Sequence, residues 1–134
     1  DLTSDYTMLE SGLGRWVKTD KDNFIGRTAL LTEEQRGASR RFVAMVVNDP
    51  TDGEPFGEAV YLSSIRSQNK DVGLVVSAGY GHRVGKSIAY GIVDETAFAN
   101  GDPQLEVEIL GRMRQAHIVD NAVLYDPDNS RLRA

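Results

Sequence analysis

The residue types best suited to chemistry lie close together in residues 79–87, which read GYGHRVGKS. The last three letters match the end of a phosphate-binding P-loop, but that loop needs a glycine five residues before Gly85, where this chain has Tyr80. It also needs a following helix that points its N-terminal amides at the phosphate, whereas residues 88–93 are a β-rich run. The third glycine of a dinucleotide fingerprint would have to replace Val84. The segment therefore argues against nucleotide binding.

A glycine-rich hairpin between two strands fits the same residues, since glycine permits the backbone conformations of a tight turn. Such a hairpin holds aromatic and cationic side chains at one rim, namely Tyr80, His82, Arg83 and Lys86. Loops of this kind either contact a ligand or another domain, or simply expose their charges to water. The residues alone leave both interpretations open.

Other chemistry finds little support in the sequence. Its two histidines, His82 and His117, have no cluster of Asp, Glu or His at metal-ligand spacing, and the chain contains no cysteine. Glu106 and Glu108 could pose as paired catalytic carboxylates, but alternating glutamates on an exposed strand face ordinarily serve solubility. No serine has a histidine and an acid at a recognisable spacing. We therefore predict neither a metal site nor a catalytic residue in this chain.

Length and composition limit the partners. The chain has 134 residues, 40% of them hydrophobic, which is enough for one domain with a core and an appended arm. Its net charge of −5 argues against a nucleic-acid partner held by a broad basic face. No stretch approaches the roughly 20 apolar residues of a membrane span. We expect neither nucleic acid nor a membrane among its partners.

Turn and strand signals predict a mainly β fold with one or two short helices. Residues 27–35 are rich in helix formers between Gly26 and Gly37, which predicts a helix. Before it, residues 6–25 lack a steady period and predict turns, with a short helical turn around Glu10. After it, Gly, Asn, Asp and Pro clusters separate β-rich runs. These runs predict six strands, at residues 42–47, 59–62, 72–77, 87–93, 105–110 and 112–119.

The clearest strand reads LEVEI over residues 105–109, where alternation places three hydrophobic residues on one face and two carboxylates on the other. Gly111 then predicts a tight hairpin, with Arg112 and Arg114 at its exposed end. Short strands without intervening helices favour a closed antiparallel barrel over a parallel sheet.

Two parts are expected along the chain. Residues 1–37 form an N-terminal arm with a junction helix, and residues 38–134 form a six-stranded antiparallel, Greek-key-like barrel. The first seven residues read DLTSDYT, which resembles the middle of a segment more than a natural start. We therefore expect a fragment of a longer protein.

Four motifs follow one another in order. Residues 7–14 read TMLESGLG, residues 23–31 NFIGRTALL, residues 76–89 VSAGYGHRVGKSIA and residues 105–111 LEVEILG. This series resembles the C-terminal barrel region of the glycine cleavage system aminomethyltransferase (T-protein) family, whose patterns are P-x-E-A-G-L-G, D-F-I-G-R-x-A-L and S-x-G-Y-G-x-x-V-G-K-S-I-A before a penultimate hairpin. Met8, Ser11 and Asn23 stand where the first two patterns have proline, alanine and aspartate.

The two ends of the chain are more similar to the fused members of that family, the C-terminal halves of dimethylglycine and sarcosine dehydrogenases. Such enzymes join a flavin domain that oxidises an N-methyl amine to a tetrahydrofolate domain that captures the one-carbon unit. The resemblance implies tetrahydrofolate as cofactor of the complete protein, with FAD in a domain outside this chain. It also implies the cytoplasm of a bacterium or the mitochondrial matrix of a eukaryote.

The family's fold implies three subdomains around a central folate hole, of which this chain supplies the junction helix and the barrel. The N-terminal subdomains would be its partners. The family's catalytic aspartate and pterin-binding glutamate lie outside this chain, so the chain alone is expected to be inactive. What remains resembles the region along the p-aminobenzoyl-glutamate side of the folate, which needs an apolar slot and cations. The candidate folate contacts are Arg15, Trp16, Lys21, Tyr80, His82, Arg83 and Tyr125.

Three alternatives accompany the dehydrogenase interpretation. The nearest is a free glycine cleavage aminomethyltransferase. A second is a non-catalytic regulatory or scaffold subunit of the same fold, like the pyruvate dehydrogenase phosphatase regulatory protein. The upstream sequence would separate it from an enzyme, which should retain the catalytic aspartate and a flavin fingerprint. The third, a folate-binding RNA-modification protein, carries a cysteine motif that cannot exist in a chain without cysteine.

Overall fold

The computed structural model describes residues 3–50, 57–119, 124–128 and 130–131. One α-helix precedes six strands. These are α1 (Arg27–Arg36), β1 (Arg40–Val47), β2 (Ser64–Ser67), β3 (Lys70–Gly81), β4 (Lys86–Asp94), β5 (Leu105–Ile109) and β6 (Arg112–Val119), with 3-10 helices at Gly14–Trp16 and Glu95–Phe98. The strands close into an antiparallel barrel in the order β1-β4-β3-β2-β5-β6. Strands β2, β3 and β4 are neighbours in chain order, and β4 ends beside β1, the first strand. This is a Greek-key arrangement. The predicted mainly β, six-stranded barrel is confirmed.

The barrel core comes from alternate residues of each strand, because successive side chains point to opposite faces. In β5, Leu105, Val107 and Ile109 are buried and the two glutamates between them are half-buried, as the alternation predicts. Two glycines let neighbouring strands and side chains approach closely. A Cβ on Gly73 would lie 2.2 Å from the carbonyl oxygen of Ile92, and one on Gly91 would lie 2.3 Å from the Cδ1 of Ile65.

Helix α1 has the predicted position between two glycines. Gly26 and Gly37 have φ values of 88° and 83°, a region in which glycine carries no steric penalty. In the arm, residues 8–12 form turns around Glu10, and the 3-10 helix begins later, at Gly14.

The strand predicted at residues 59–62 is wrong, since residues 59 and 60 are irregular, residues 61 and 62 form a turn, and β2 begins at Ser64. Leu62 has a left-handed φ of 67°, its amide donates to the carbonyl of Val75 at 2.9 Å, and the amide of Ser63 donates to the carbonyl of Val60 at 3.0 Å. Val60, Tyr61 and Leu62 therefore remain largely exposed. Strand β2 itself has a mostly polar sequence, SIRS. It is a strand because it pairs with β3 and β5.

Arg114 was expected at the exposed end of the β5–β6 hairpin, but it is buried, with a relative exposure of 6%. In the ladder it lies opposite Val107, a residue of the barrel interior. Alternation along β6 therefore directs Arg114 to the inner face, together with Ala116.

Candidate functional site

A slot of about 430 Å³ lies on the outer face of β4 beside the β3–β4 hairpin. Its described lining comprises Gly81, Arg83, Val84, Ile88, Tyr90, Leu124 and Tyr125. Ser87, Ala89 and Gly91 are buried on the inner face of β4, so alternation places Ile88 and Tyr90 outside. An apolar slot with a few polar groups is the usual form of a small-molecule site.

The hairpin that walls the slot is built by glycines. Gly81 pairs with Lys86, and the amides of Val84 and Gly85 both donate to the carbonyl of Gly81, at 3.0 and 2.8 Å. Gly85 has a positive φ of 63°. A Cβ on Gly81 would lie 2.7 Å from both Ile88 and Val84 side chains, so glycine at this position lets the two apolar walls meet.

The polar groups of the slot are Arg83 and Tyr125. Arg83 donates from a terminal guanidinium nitrogen to the phenol oxygen of Tyr125 at 3.4 Å, and its guanidinium carbon lies 5.7 Å from the centre of the tyrosine ring. Arg83 is exposed and Tyr125 is half-buried. The contact therefore brings together two predicted residues that are far apart in the sequence, and it leaves the guanidinium accessible to an anion.

Tyr80 and His82 lie beside the slot but are not among its described lining residues. Their rings meet edge to face with centroids 5.1 Å apart, and the amide of Tyr80 donates to the carboxylate of Glu58 at 2.7 Å. In the ladder Tyr80 lies opposite Ser87, whose side chain is buried, so Tyr80 belongs to the inner face. The predicted rim is thus divided, with Arg83 outside and Tyr80 inside.

The three predicted contacts on the arm form a separate group. The Arg15 guanidinium lies 5.1 Å from the centre of the Trp16 ring, and both side chains are exposed. Lys21 is exposed in a turn whose amide donates to the carbonyl of Lys18. None of the three is among the described residues that line the slot. Their proposed contact with folate stays a prediction.

A single aromatic residue connects the arm to the slot. A Cβ on Gly12 would lie 3.6 Å from the Cβ of Phe42, and the Phe42 amide donates to the carbonyl of Glu10 at 2.9 Å. Phe42 stacks on Tyr90, a wall of the slot, with ring centroids 5.6 Å apart. Phe42 therefore contacts both the arm and a wall of the slot.

Glu10 anchors the arm. Thr7 and Glu10 form a capping box, in which the Thr7 amide donates to the Glu10 carboxylate and the Glu10 amide donates to the Thr7 hydroxyl, both at 3.1 Å. The same carboxylate accepts from Ser39 at 2.7 Å and from Arg40 at 3.0 Å. Thr7 also donates to the buried carboxylate of Glu33 in α1 at 2.6 Å. These bonds tie the arm to both α1 and the barrel.

The electrostatics of this anchor follow from its hydrogen bonds. Burial of Glu10 raises the pKa of its carboxyl, but hydrogen bonds from Arg40, Ser39 and the Thr7 amide outweigh burial and hold that pKa below its ordinary value. The hydrogen bond to Glu10 raises the pKa of Arg40. Both groups are therefore charged at neutral pH.

Five lining residues were not among the predicted contacts: Gly81, Val84, Ile88, Tyr90 and Leu124. The sequence of β4 contains a signal for Ile88 and Tyr90. Apolar residues occupy both faces of the strand, which indicates that its outer face is covered as well as its inner face. The part of the chain that the structure describes holds no group of three or more His, Cys, Asp or Glu suited to a metal. Among the described residues, no helix has the length and apolar composition needed to cross a bilayer.

Comparison with known proteins gives a consistent result. Residues 40–126 match the family model described as the glycine cleavage T-protein C-terminal barrel domain. An aminomethyltransferase from Desulfitobacterium hafniense is 31% identical over 119 residues, covering 89% of this chain and 31% of the relative. The mitochondrial dimethylglycine dehydrogenase of Mus musculus is 34% identical over 135 residues, covering 99% of this chain and 15% of the relative.

A solved structure agrees on the fold. The glycine cleavage system aminomethyltransferase T from Bartonella henselae superposes with a TM-score of 0.70 at 23% identity, covering 91% of this chain and 33% of that one. The chain therefore spans about a third of the length of the aminomethyltransferases it matches, and less of the dehydrogenase.

Proposed function

The chain belongs to the glycine cleavage T-protein C-terminal barrel domain family, and from that premise we propose that it serves a tetrahydrofolate-dependent aminomethyltransferase module. In this proposal the barrel is the folate-side domain of a longer enzyme, and the chain alone turns over no substrate. Its task is to bind and orient the p-aminobenzoyl-glutamate end of the folate.

The observation that carries the proposal is the slot with Arg83 and Tyr125. A p-aminobenzoyl ring needs apolar walls, which Val84, Ile88 and Tyr90 supply. A glutamate carboxylate needs a cation with directed donors, and the exposed guanidinium of Arg83 stands at the edge of those walls. That guanidinium also lies 5.7 Å from the centre of the Tyr125 ring, at the edge of the slot.

The chemistry that a bound tetrahydrofolate supplies is acceptance of a one-carbon unit. The residues of this chain fit the other end of the molecule, where they fix position. Among the residues that the structure describes we assign none to proton transfer. Orientation by this domain would raise the rate by holding the reacting groups in register, which is the usual contribution of a binding subsite.

One finding favours the fused dehydrogenase type over the free aminomethyltransferase. The match to the mouse dimethylglycine dehydrogenase covers 99% of the chain, whereas the match to the aminomethyltransferase from Desulfitobacterium hafniense covers 89%. In a parent of this type we propose that a separate domain holds FAD and oxidises an N-methyl amine. We propose the mitochondrial matrix as its location in a eukaryote and the cytoplasm in a bacterium.

We further propose that the other subdomains of the module are the partners of this chain. The matched region is 31% of the aminomethyltransferase from Desulfitobacterium hafniense and 15% of the mouse dimethylglycine dehydrogenase. Val60, Tyr61 and Leu62 are more than half exposed, and Leu74 lies next to them because the Leu62 amide donates to the carbonyl of Val75. Exposed apolar residues that cluster in this way are typical of a protein contact.

The test is a titration followed by amide NMR shifts of the ¹⁵N-labelled chain. The ligands are p-aminobenzoyl-L-glutamate and 5-formyltetrahydrofolate. We expect shifts at Gly81, Val84, Ile88, Tyr90 and Leu124, and about tenfold weaker binding in Arg83→Ala, since a hydrogen bond to a charged group contributes roughly that much. Arg36→Ala, which removes an exposed arginine outside the slot, is the matched control. Shifts centred elsewhere on the barrel, or none with either ligand, would contradict the proposal.

A further inference from the structure

Two hairpins of the barrel turn through a pair of residues that both have left-handed backbone conformations. Between β2 and β3 these are Gln68 and Asn69, with φ values of 50° and 62°. Between β5 and β6 they are Leu110 and Gly111, with φ values of 52° and 75°. Such a turn matches the twist of the flanking strands and favours asparagine followed by glycine. A leucine at its first position therefore goes against the local preference.

Burial in the barrel does not offset this cost. Leu110 is 64% exposed. Leu62 has the same combination, with a left-handed φ of 67° and an exposure of 51%. The left-handed region is unfavourable for bulky side chains, and an exposed leucine gains little from the hydrophobic effect. Backbone strain that the fold itself does not need is typical of functional surfaces.

Both leucines belong to one apolar patch. Its members are Val60, Tyr61, Leu62, Leu74 and Leu110. The hydrogen bond from the Leu62 amide to β3 brings Leu62 beside Leu74. A Cβ on Gly57, in the segment that leads into the patch, would lie 2.9 Å from the Cδ1 of Leu110. Five of the eight large hydrophobic residues that are exposed among the described residues lie here, so their exposure is concentrated in one place.

We propose that Leu62 and Leu110 anchor the barrel to another subdomain of the same polypeptide. This inference rests on the proposed function, which makes the chain one part of a longer enzyme. The match covers only 31% of the relative from Desulfitobacterium hafniense, which leaves most of a module to supply that subdomain.

The size of the apolar patch favours a tethered occupant over a free one. Five partly exposed side chains present on the order of 600 Å² of surface. Each partner of a stable free complex buries roughly 800 Å². A covalently linked subdomain binds through a smaller surface, because the linkage raises its effective concentration.

The stability of the chain alone tests whether the leucines serve the barrel. Leu110→Asn suits the left-handed backbone and removes exposed apolar surface, so we expect the equilibrium constant for folding to rise about fivefold. Leu62→Asn should act in the same direction. Leu74→Asn is the matched control, because it removes a leucine of the same patch from the extended backbone of β3 and should bring no gain. Urea unfolding measures all three.

Hydrogen exchange, followed by mass spectrometry, tests the occupant by comparing the chain with the full-length enzyme. We expect amides of residues 58–63 and 109–113 to exchange about tenfold more slowly in the full-length enzyme, because the docked subdomain restrains local opening there. Leu110→Asn should remove most of this added protection. Gln68→Asn is the matched control, since it changes the same position of the other hairpin, outside the apolar patch, and should leave the protection unchanged.

Each contrary outcome overturns a defined statement. Equal exchange in the two proteins, or protection that survives Leu110→Asn, would refute the docking role and leave the proposed function intact. If neither asparagine variant at Leu62 or Leu110 gained stability, the leucines would be serving the barrel and the inference would fail. Protection that rises with the concentration of the chain alone would identify a second copy as the occupant and overturn it as well. Failure to bind either folate ligand, with the apolar patch protected in the full-length enzyme, would contradict the proposed function alone.

Discussion

Arginines meet aromatic rings at several places among the described residues, including Arg15 over Trp16. Two of the other regions differ in what balances the charge. At the arm and the barrel entrance, Arg40 lies 4.8 Å from the Tyr6 ring and Arg41 lies 4.2 Å from the Phe98 ring, and each also pairs with a glutamate. At the slot, Arg83 and Arg131 both lie over Tyr125, and no carboxylate of the described residues forms an ion pair with either.

The difference separates structure from binding. A guanidinium whose carboxylate comes from the chain has its charge satisfied and serves to hold elements together. A guanidinium without such a carboxylate keeps most of its donors for an external anion, since a ring occupies its face and not its edge. Removing a residue from the first region should therefore change stability, and removing one from the second should change binding.

The largest stability effect is expected at Glu10. Glu10→Ala removes the acceptor of the Thr7 amide, the Ser39 hydroxyl and Arg40, and it leaves these donors in a partly buried place. We expect the free energy of unfolding to fall by about 2 kcal/mol, the cost of leaving buried donors unsatisfied. Urea unfolding followed by circular dichroism measures it. A loss as small as that of an ordinary surface substitution would show that the arm does not depend on this carboxylate.

The same residue should make stability depend on pH. Because the folded chain lowers the pKa of Glu10, the folded state binds that proton less readily than the unfolded state does. The stabilisation is therefore fully present at neutral pH and is lost as the pH falls through the lowered pKa. Urea midpoints measured across the acid range should converge for wild type and Glu10→Gln. Parallel curves would mean that another carboxylate governs the acid transition.

A smaller effect is expected at Arg41, which joins β1 to the 3-10 helix Glu95–Phe98. Its side chain is 48% exposed and that of Glu95 is 39% exposed, so solvent screens the pair. We expect Arg41→Ala to cost about 0.5–1 kcal/mol, including the contact with the Phe98 ring. Arg41→Lys should retain less than half of the stabilisation that Arg41 provides, because lysine lacks the planar group that stacks on the ring. A loss of stability as large as that of Glu10→Ala would show that the exposure of an ion pair does not predict its contribution to stability.

Much of the barrel could be predicted from the sequence because its signals are local. Alternation in LEVEI and the glycine after it define β5 and its hairpin without reference to other strands. Strand β2 could not be predicted, because Ser64–Ser67 are mostly polar. They become a strand only through pairing with β3 and β5, which lie elsewhere in the sequence. The apolar residues just before β2, at which a strand was wrongly predicted, remain exposed in a turn.

The site shows the same division. The hairpin with Arg83 could be predicted from its glycines and cations, and Tyr125 only through the family resemblance. Their contact depends on the tail returning to β4, which no local pattern encodes. Ile88 and Tyr90 become walls for the same reason, since the outer face of β4 forms a slot only where Leu124 and Tyr125 cover it.

The smallest stability effect is expected at Arg83, the counterpart of Glu10. Arg83 is exposed, and its contacts with Tyr125 are a long hydrogen bond of 3.4 Å and a cation–ring contact at 5.7 Å. Arg83→Ala should therefore change the free energy of unfolding by no more than about 0.5 kcal/mol. In the same urea experiment Glu10→Ala is the destabilised reference. If Arg83→Ala lost as much stability as that reference, its guanidinium would be serving the fold, and weaker binding by this variant could no longer be attributed to the slot.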